Sequence, residues 1–409
     1  MREGWRIELL KNACKVFTDG NWIESKDQSS EGIRLVQTGN IGFGYFRNKD
    51  DKSRFISEET FERLKCTEIL PGDLLVSRLP DPVGKSCIIP DLEIKMITGV
   101  DCTIIRPKDF LISEYLGYFQ MSREYIMDVQ SRVSGTTRSR ISRKNLGLIE
   151  LPIPSLQEQQ QIVTILDQAF TAIDQAKANI EKNITNAKEL FQSRLNEIFS
   201  QRGDGWEILS LDELCEVKDG THNSPKYVIE EIGIPFVTQK NILDEGLSFE
   251  NTKFISQVDH DDFYRRSNVS ENDILFSMIG ANRGMACIVD DDRTFSIKNV
   301  GLIKSSENYR SKYLLYFLKS PIARNYVANN SSGSAQGFIG LGKLRKFPIP
   351  ITEINQQKLI EIKLDELNDK LIQITNFNLT KLKSLEELKK SILQKAFSGE
   401  LTQKEVVVN

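Results

Sequence analysis

The chain states its pattern twice, and that repetition constrains the fold more than any single motif does. Gly4-Trp5 recurs as Gly205-Trp206, Cys14 as Cys215, Asp19-Gly20 as Asp219-Gly220, and Asn40-Ile41 as Asn241-Ile242. Phe55-Ile56-Ser57 pairs with Phe254-Ile255-Ser256, and residues 73–77 pair with 273–277. Gly84, Cys87 and Ile88 return as Gly284, Cys287 and Ile288, Ser134-Gly135 as Ser332-Gly333, and Phe199-Ser200 as Phe397-Ser398. The offset stays between 201 and 198 throughout. An ordered series of this kind reads as globular unit, helix, like globular unit, helix.

The helical parts are residues 155–200 and 352–398. In the first, apolar residues recur at Ile162, Leu166, Ala169, Ile173, Ala176, Ile180, Ala187, Leu190 and Ile198, at spacings of three and four. The second stripe is Ile360, Leu364, Leu367, Leu371, Ile374, Leu385, Leu388 and Ile392, a heptad-like pattern that needs a partner helix. At about 1.5 Å per residue, roughly 44 residues make a rod on the order of 65 Å long, a spacer rather than a core helix. Ser155 with Glu158 predicts a capping box, and Thr352 half of one. Gly203 and Gly399 are placed to close the helices in left-handed conformation. Leu151-Pro152-Ile153-Pro154 and Phe347-Pro348-Ile349-Pro350 read as matching extended entrances, since proline disfavours helix immediately upstream.

With 409 residues there is room for two domains of about 150 residues plus the helices, each large enough to bury a core. The boundaries predicted are 1–154, 155–203, 204–351 and 352–409. No apolar run approaches the ~20 residues of a membrane span, and residues 1–5 carry no signal-peptide core, so a cytoplasmic protein is expected. The six cysteines show no Cys-x-x-Cys spacing and fit a reducing compartment, and four of them, Cys14 with Cys215 and Cys87 with Cys287, occupy repeat-equivalent positions typical of buried thiols. With only His222 and His260, no zinc site is expected. Short β-branched runs at residues 73–77, 87–90 and 102–106, repeated at 273–277 and 286–289, predict strands. One helix is predicted over residues 111–129 and one over 311–328. The fold class is therefore α+β, used twice.

Two stretches resemble catalytic motifs. Asp81, Glu93 and Lys95 have the outline of a metal-dependent nuclease site, but the second copy lacks it. Residues 338–342 look like a glycine loop for S-adenosylmethionine, yet no Pro-Pro segment follows anywhere in the chain. No catalytic constellation emerges.

What remains is basic. Residues 131–146 carry Arg132, Arg138, Arg140, Arg143 and Lys144 with no acidic residue, interleaved with Ser, Thr and Gly. Phosphate oxygens favour that mixture, because Arg and Lys neutralise charge while small polar and backbone groups donate hydrogen bonds. The second copy offers Gln336, Lys343, Arg345 and Lys346. Base edges are read by Arg, Lys, Asn and Gln, so the loop candidates are Gln37, Thr38, Asn40, Arg47, Arg78 and Lys85 in the first unit. In the second they are His222, Asn223, Lys226, Gln239, Lys240, Asn282 and Arg283. For any one residue of the basic segment a solvated loop is as good a reading as a DNA contact, and for the other loop candidates it is the better one, since polar loop tips are the norm in any domain. A net charge of −3 argues against a free-standing DNA binder but not against a subunit of a larger complex. A coiled-coil scaffold would account for the helices, though not for two divergent domains with basic loops.

The whole chain resembles the specificity subunits of type I restriction-modification systems. The resemblance rests on Leu-Pro-Ile-Pro-Ser-Leu-Gln-Glu-Gln at 151–159, Gln-Ile-Val-Thr-Ile-Leu-Asp at 161–167, Phe199-Ser200, Phe-Ser-Gly-Glu-Leu at 397–401, and Ser-Gly at 134–135 and 332–333. The second entry departs from it, with Glu353-Ile354-Asn355-Gln356-Gln357 where Leu-x-Glu-Gln is usual. The resemblance implies two target-recognition domains, each reading one half of an asymmetric, interrupted double-stranded DNA sequence. It implies that the helices pack as an antiparallel coiled coil; with the helices antiparallel, the tandem repeat can close into a pseudo-twofold arrangement in which residues 401–409 return beside the first domain. Their apolar faces, with Ile162, Leu166, Ile173, Ile180, Leu364, Leu371, Leu385 and Leu388, would serve mutual packing and partner binding. Two modification (methyltransferase) subunits that bind S-adenosylmethionine and methylate adenine are implied, together with restriction subunits that use ATP and Mg. This chain itself would bind no cofactor and carry no catalytic residue, and phage defence is the role such systems serve.

Overall fold

The computed structural model describes residues 4–80, 82–135, 139–201, 203–333 and 337–403. The chain divides into two compact units, residues 1–180 with 380–409, and residues 181–379. These divisions fall inside both long helices, Leu156–Ser200 and Ile354–Ser398. Each unit therefore contains one α+β domain, the first part of one long helix and the last part of the other.

In the first unit, four antiparallel strands lie in the order Cys14–Asp19, Cys102–Pro107, Leu74–Ser77 and Ser86–Ile88. A three-stranded sheet sets Ile33–Val36 between Phe55–Ile56 and Met96–Thr98, the latter pairing parallel. The second unit repeats both sheets, with Val217–Asp219, Val300–Ile303, Ile274–Ser277 and Ala286–Ile288 in one, and Lys253–Ile255, Ile234–Val237 and Ser296–Ile297 in the other. It adds a hairpin of Ile242–Leu243 and Gly246–Leu247. The predicted strands are all present.

The predicted single helices are each two. Ser113–Phe119 is followed by Arg123–Ser131, and Ser311–Leu318 by Pro321–Asn329. Ser122 Oγ accepts from the Tyr125 N–H at 3.2 Å and Ser320 Oγ from the Ala323 N–H at 3.3 Å, so each serine starts a new helix. Pro321 stands in the first turn, where its missing N–H costs nothing.

The entrances to the long helices are strands. Glu150–Ile153 pairs antiparallel with Arg6–Leu9, and Pro348–Ile351 with Glu207–Ser210. This register aligns Leu151-Pro152-Ile153 with Ile349-Pro350-Ile351, two residues on from the match drawn from the prolines alone. The Tyr115 hydroxyl donates to the Pro152 carbonyl at 2.8 Å, and that of Tyr313 to the Pro350 carbonyl at 2.7 Å, fixing the correspondence. Helix then begins after Ser155 in one copy and after Glu353, not Thr352, in the other. Ser155 Oγ accepts from the Glu158 N–H at 3.2 Å, as a cap should. The Glu158 carboxylate accepts from the Trp5 indole at 3.1 Å and from the Thr402 hydroxyl at 2.6 Å, tying the first strand and the returning chain end to the helix start.

One turn further, Gln159 and Gln357 are completely buried and take corresponding roles. Gln159 Oε1 accepts from the Ile112 N–H at 2.9 Å, while its Nε2 donates to the Phe110 and Pro154 carbonyls. Gln357 accepts from the Arg310 N–H and donates to the Thr352 carbonyl. A glutamine is required because both ends of a buried amide must be satisfied. The second helix entry, with Ile354 and Gln356 in place of Leu156 and Glu158, keeps this final glutamine. Gly399 adopts the left-handed conformation expected after a helix, with φ +84.

The far ends of the helices complete the domain cores. In the first unit, Phe397 sits edge-on to Tyr115 and Phe119, with ring centroids 5.4 Å from each, beside Ile162, Leu166, Leu393 and Ala396. In the second, Phe199 sits 5.5 Å from Tyr313 and 5.3 Å from Phe317, beside Leu195, Ile360 and Leu364. Within the first unit the two helix segments are antiparallel, since Lys177 pairs with Glu386 and Asp174 with Lys389. Ile173 is buried, Ile180, Leu371 and Leu385 are half-buried, and Leu388 and Leu190 are exposed. Phe170, Phe191 and Leu195 carry much of the helix packing that the stripe had assigned to smaller residues.

Replacing a fully enclosed aromatic leaves a cavity that costs about 3–5 kcal/mol. Phe199→Ala is therefore expected to lower the thermal midpoint of the second unit by several degrees or unfold it, and exposed Leu190→Ala to leave it nearly unchanged. Calorimetry of the intact chain checks this, and equal effects would remove Phe199 from the core.

Candidate nucleic-acid interface

In the first unit the Ser-Gly element is the foot of a hairpin. Ser134 and Arg140 exchange backbone hydrogen bonds at 2.9 and 2.8 Å, and Gly135 has φ +101, a conformation that costs glycine little. Ser332 and Phe338 do the same at 2.9 Å, with Gly333 at φ +95. Arg138 and Gln336 lie outside the described residues. Arg140, Arg143 and Lys144 are exposed beyond the hairpin foot.

Arg140 stands 3.9 Å from Asp101 and Arg143 4.0 Å from Asp19, and Arg143 also donates to the Thr18 hydroxyl. Ion pairs this long and exposed are worth ~0–1 kcal/mol, so a phosphate can replace the carboxylates at little cost. Arg78 is different. It is 3% exposed, its guanidinium 3.2 Å from Asp19 and bonded to the Val100 carbonyl, and burial lowers its pKa. Lys85 is 8% exposed. The structure places both inside the unit rather than at a loop tip, and Arg132 is held by Asp128 at 2.6 Å.

Several loops converge here. Phe43, Lys85, Gln130 and Ser139 line a cavity of about 300 Å³. A second notch of about 210 Å³ is lined by Trp22, Gln37, Thr38 and Asp101. Asn40, in contrast, holds its own turn, accepting from the Gln37 N–H at 3.0 Å and donating to the Arg47 carbonyl at 2.9 Å. Asn241 accepts from the Thr238 N–H and donates to the Ser248 carbonyl, which explains why this asparagine occurs in both copies. Arg47 lies over the Tyr45 ring at 5.3 Å. The exposed aromatics Trp22, Phe43 and Tyr45 were missing from the sequence-derived set, because a single aromatic in a loop carries no periodic signal.

The second unit gathers a comparable edge. The Gly280 N–H donates to the Gly337 carbonyl at 3.2 Å, and Gly337 leaves room for the half-buried Arg283, whose Nη1 would lie 2.3 Å from any Cβ there. Gln239 Nε2 lies beside Gly280, and Asn282 adjoins it in the same loop. His222 is exposed, with Nδ1 2.6 Å from Asn299 Oδ1 and Nε2 3.2 Å from Asp219. Lys226, Lys240 and Lys343 are exposed, whereas Arg345 donates to the Val217 carbonyl at 3.2 Å and so braces the domain.

Where described, residues of both enzyme-like stretches are held in other local roles. Asp81 lies outside the described residues, and Lys95 pairs with Glu58 at 3.0 Å over the Phe61 ring. Phe338 to Gly342 leads from the hairpin foot into the short helix Leu341–Arg345, the counterpart of Arg143–Leu146. Among the described residues no group of three or more His, Cys, Asp or Glu could hold a metal ion, and no helix is long and apolar enough to cross a membrane. Burial pushes Cys14, Cys87, Cys102 and Cys287 up to about 12, leaving the thiols protonated and unreactive.

Known proteins with this organisation exist. The chain is 26% identical over 406 residues to the type I restriction enzyme MjaIX specificity subunit of Methanocaldococcus jannaschii, covering 94% of this chain and 87% of that one. It is 23% identical over 430 residues to the EcoKI specificity subunit of Escherichia coli K12, covering 98% and 90%. A chain from a structural study of type I R-M complex assembly and conformational transition superposes with a TM-score of 0.78 at 18% identity, covering 98% of this chain and 99% of that one. The HsdS subunit from Thermoanaerobacter tengcongensis gives 0.59 at 18% identity, covering 98% of both, and these two likenesses establish the fold. The type I restriction modification DNA specificity domain matches twice, over residues 3–186 and 203–384, and the chain belongs to that family.

Proposed function

We propose that this chain is the non-catalytic, DNA-reading subunit of a type I restriction-modification complex, and that its two domains read the two unlike halves of an interrupted target. One observation carries this reading. The residues that the copies share hold the framework, as Asn40 and Asn241, Gln159 and Gln357, and Phe199 and Phe397 do, whereas the exposed loop residues differ. Two like frameworks with unlike reading edges suit an asymmetric two-part site.

Association with other restriction-modification subunits follows from the family. Two modification subunits would dock on the long helices, where the second unit leaves Leu190, Leu359, Ile362, Ile372 and Phe377 exposed. Exposed apolar residues on helices are suited to partner helices. S-adenosylmethionine, ATP and Mg would be bound by the partners, including restriction subunits where present, and the complex would act in the cytoplasm.

Arg140→Ala with Arg143→Ala is expected to weaken DNA binding by the assembled complex and to reduce the log–log salt slope by about two, one per lost phosphate contact, without altering the preferred sequence. Fluorescence anisotropy across a salt series measures both quantities, and an unchanged slope would remove these arginines from the interface. Lengthening both helices by equal numbers of residues is expected to change the length of the unread gap in targets selected from random duplexes. A constant gap would mean that the helices do not set the spacing.

A further inference from the structure

Immediately after each shared Asp-Gly pair, the two copies follow the same backbone path and then diverge. The Gly20 N–H donates to the Cys102 carbonyl at 3.0 Å and the Gly220 N–H to that of Val300 at 2.9 Å. The next residues, Asn21 and Thr221, donate to the Thr98 and Ile297 carbonyls at 3.1 and 3.0 Å. A Cβ on Gly20 would lie 2.1 Å from the Thr98 oxygen, and one on Gly220 2.3 Å from the Ile297 oxygen. Each approach is closed to any side chain, so both copies must launch residue 22 or 222 from the same point of the framework.

At that point the first copy carries Trp22, 68% exposed, and the second carries His222, its side chain 64% exposed. Trp22 borders the notch lined by Gln37 and Thr38 at the start of a turn, whose counterpart in the second copy begins at Gln239. The cations Arg140 and Arg143 reach the same region through Asp101 and Asp19. A large exposed aromatic near the exposed cations Arg140 and Arg143, at the same framework position as an exposed imidazole, is placed to touch base pairs.

We propose that Trp22 and His222 are corresponding specificity-determining residues, each contacting base pairs of its own half-site. Their chemistry differs as the halves would. The Trp22 indole, whose N–H is engaged by Glu24 at 3.3 Å, offers its face to sugar and thymine methyl, whereas the His222 imidazole exchanges hydrogen bonds with a purine edge by giving up Asn299 or Asp219. This inference rests on the two-domain reading of DNA.

The test uses the complex assembled with its modification subunits and duplex libraries in which either half-site is randomised. Trp22→His is expected to change the bases selected in one half, with the other half and the gap intact, and to weaken binding to the native target about ten- to hundredfold. His222→Trp is expected to alter the opposite half alone. Selections identical to the native ones in both halves, or a change in both halves together, would overturn the proposal. If the unaltered complex selects no two-part target, the two-domain reading fails instead. Should either variant not assemble, Trp22→Phe and His222→Gln are judged by the same criterion.

Discussion

The fold depends on an aromatic wedge delivered from the end of a long helix. Phe397 enters the core around Tyr115 and Phe119, and Phe199 enters the one around Tyr313 and Phe317. Neither domain owns the residue that completes its core, because the chain must run along a helix to deliver it. Burial of such a ring stabilises by several kcal/mol, a sizeable part of the margin by which a domain is folded. Coupling each domain to a helix end in this way makes the helices part of the globular units rather than tethers between them. The buried glutamines do the same at the opposite helix ends, where a satisfied amide locks the first turn onto the domain.

Much of this was legible in the sequence because repetition reports it directly. A residue needed twice for the same mechanical task appears twice, so the Asp-Gly pairs, the Ser-Gly hairpin feet and the Phe-Ser helix ends all stood out, and the strands followed from their β-branched runs. Where the signal was local chemistry rather than repetition, the sequence was less complete. Ser122 and Ser320 break what periodicity presents as one helix, and the strand partners of residues 150–153 and 348–351 set a register that the prolines alone misplaced by two. Of the helix stripe, Ile162, Leu166 and Leu364 are buried, whereas Leu388 faces water, because an isolated stripe cannot say which helix edge its neighbours cover.

The candidate interface residues divide by where the fold places them. Arg140, Arg143 and Lys144 are exposed, as a phosphate-binding segment requires. Arg78 was chosen by the same reasoning and is buried against Asp19, since composition cannot distinguish a cation that braces a loop from one that projects from it. Asn40 illustrates the converse: its recurrence as Asn241 marks a turn that both domains need, and a turn shared by both domains cannot tell two half-sites apart. Reading residues are therefore to be sought where the framework agrees and the side chain does not.

On the proposed function, the two domains read one DNA target as an unlike pair. That reading is tested most directly by producing the chain with its modification subunits in cells that lack other DNA methylation and mapping N6-methyladenine across the genome by long-read sequencing. A single interrupted motif with two different halves separated by a fixed gap is expected. A contiguous motif, or no methylation despite a stable complex, would contradict it.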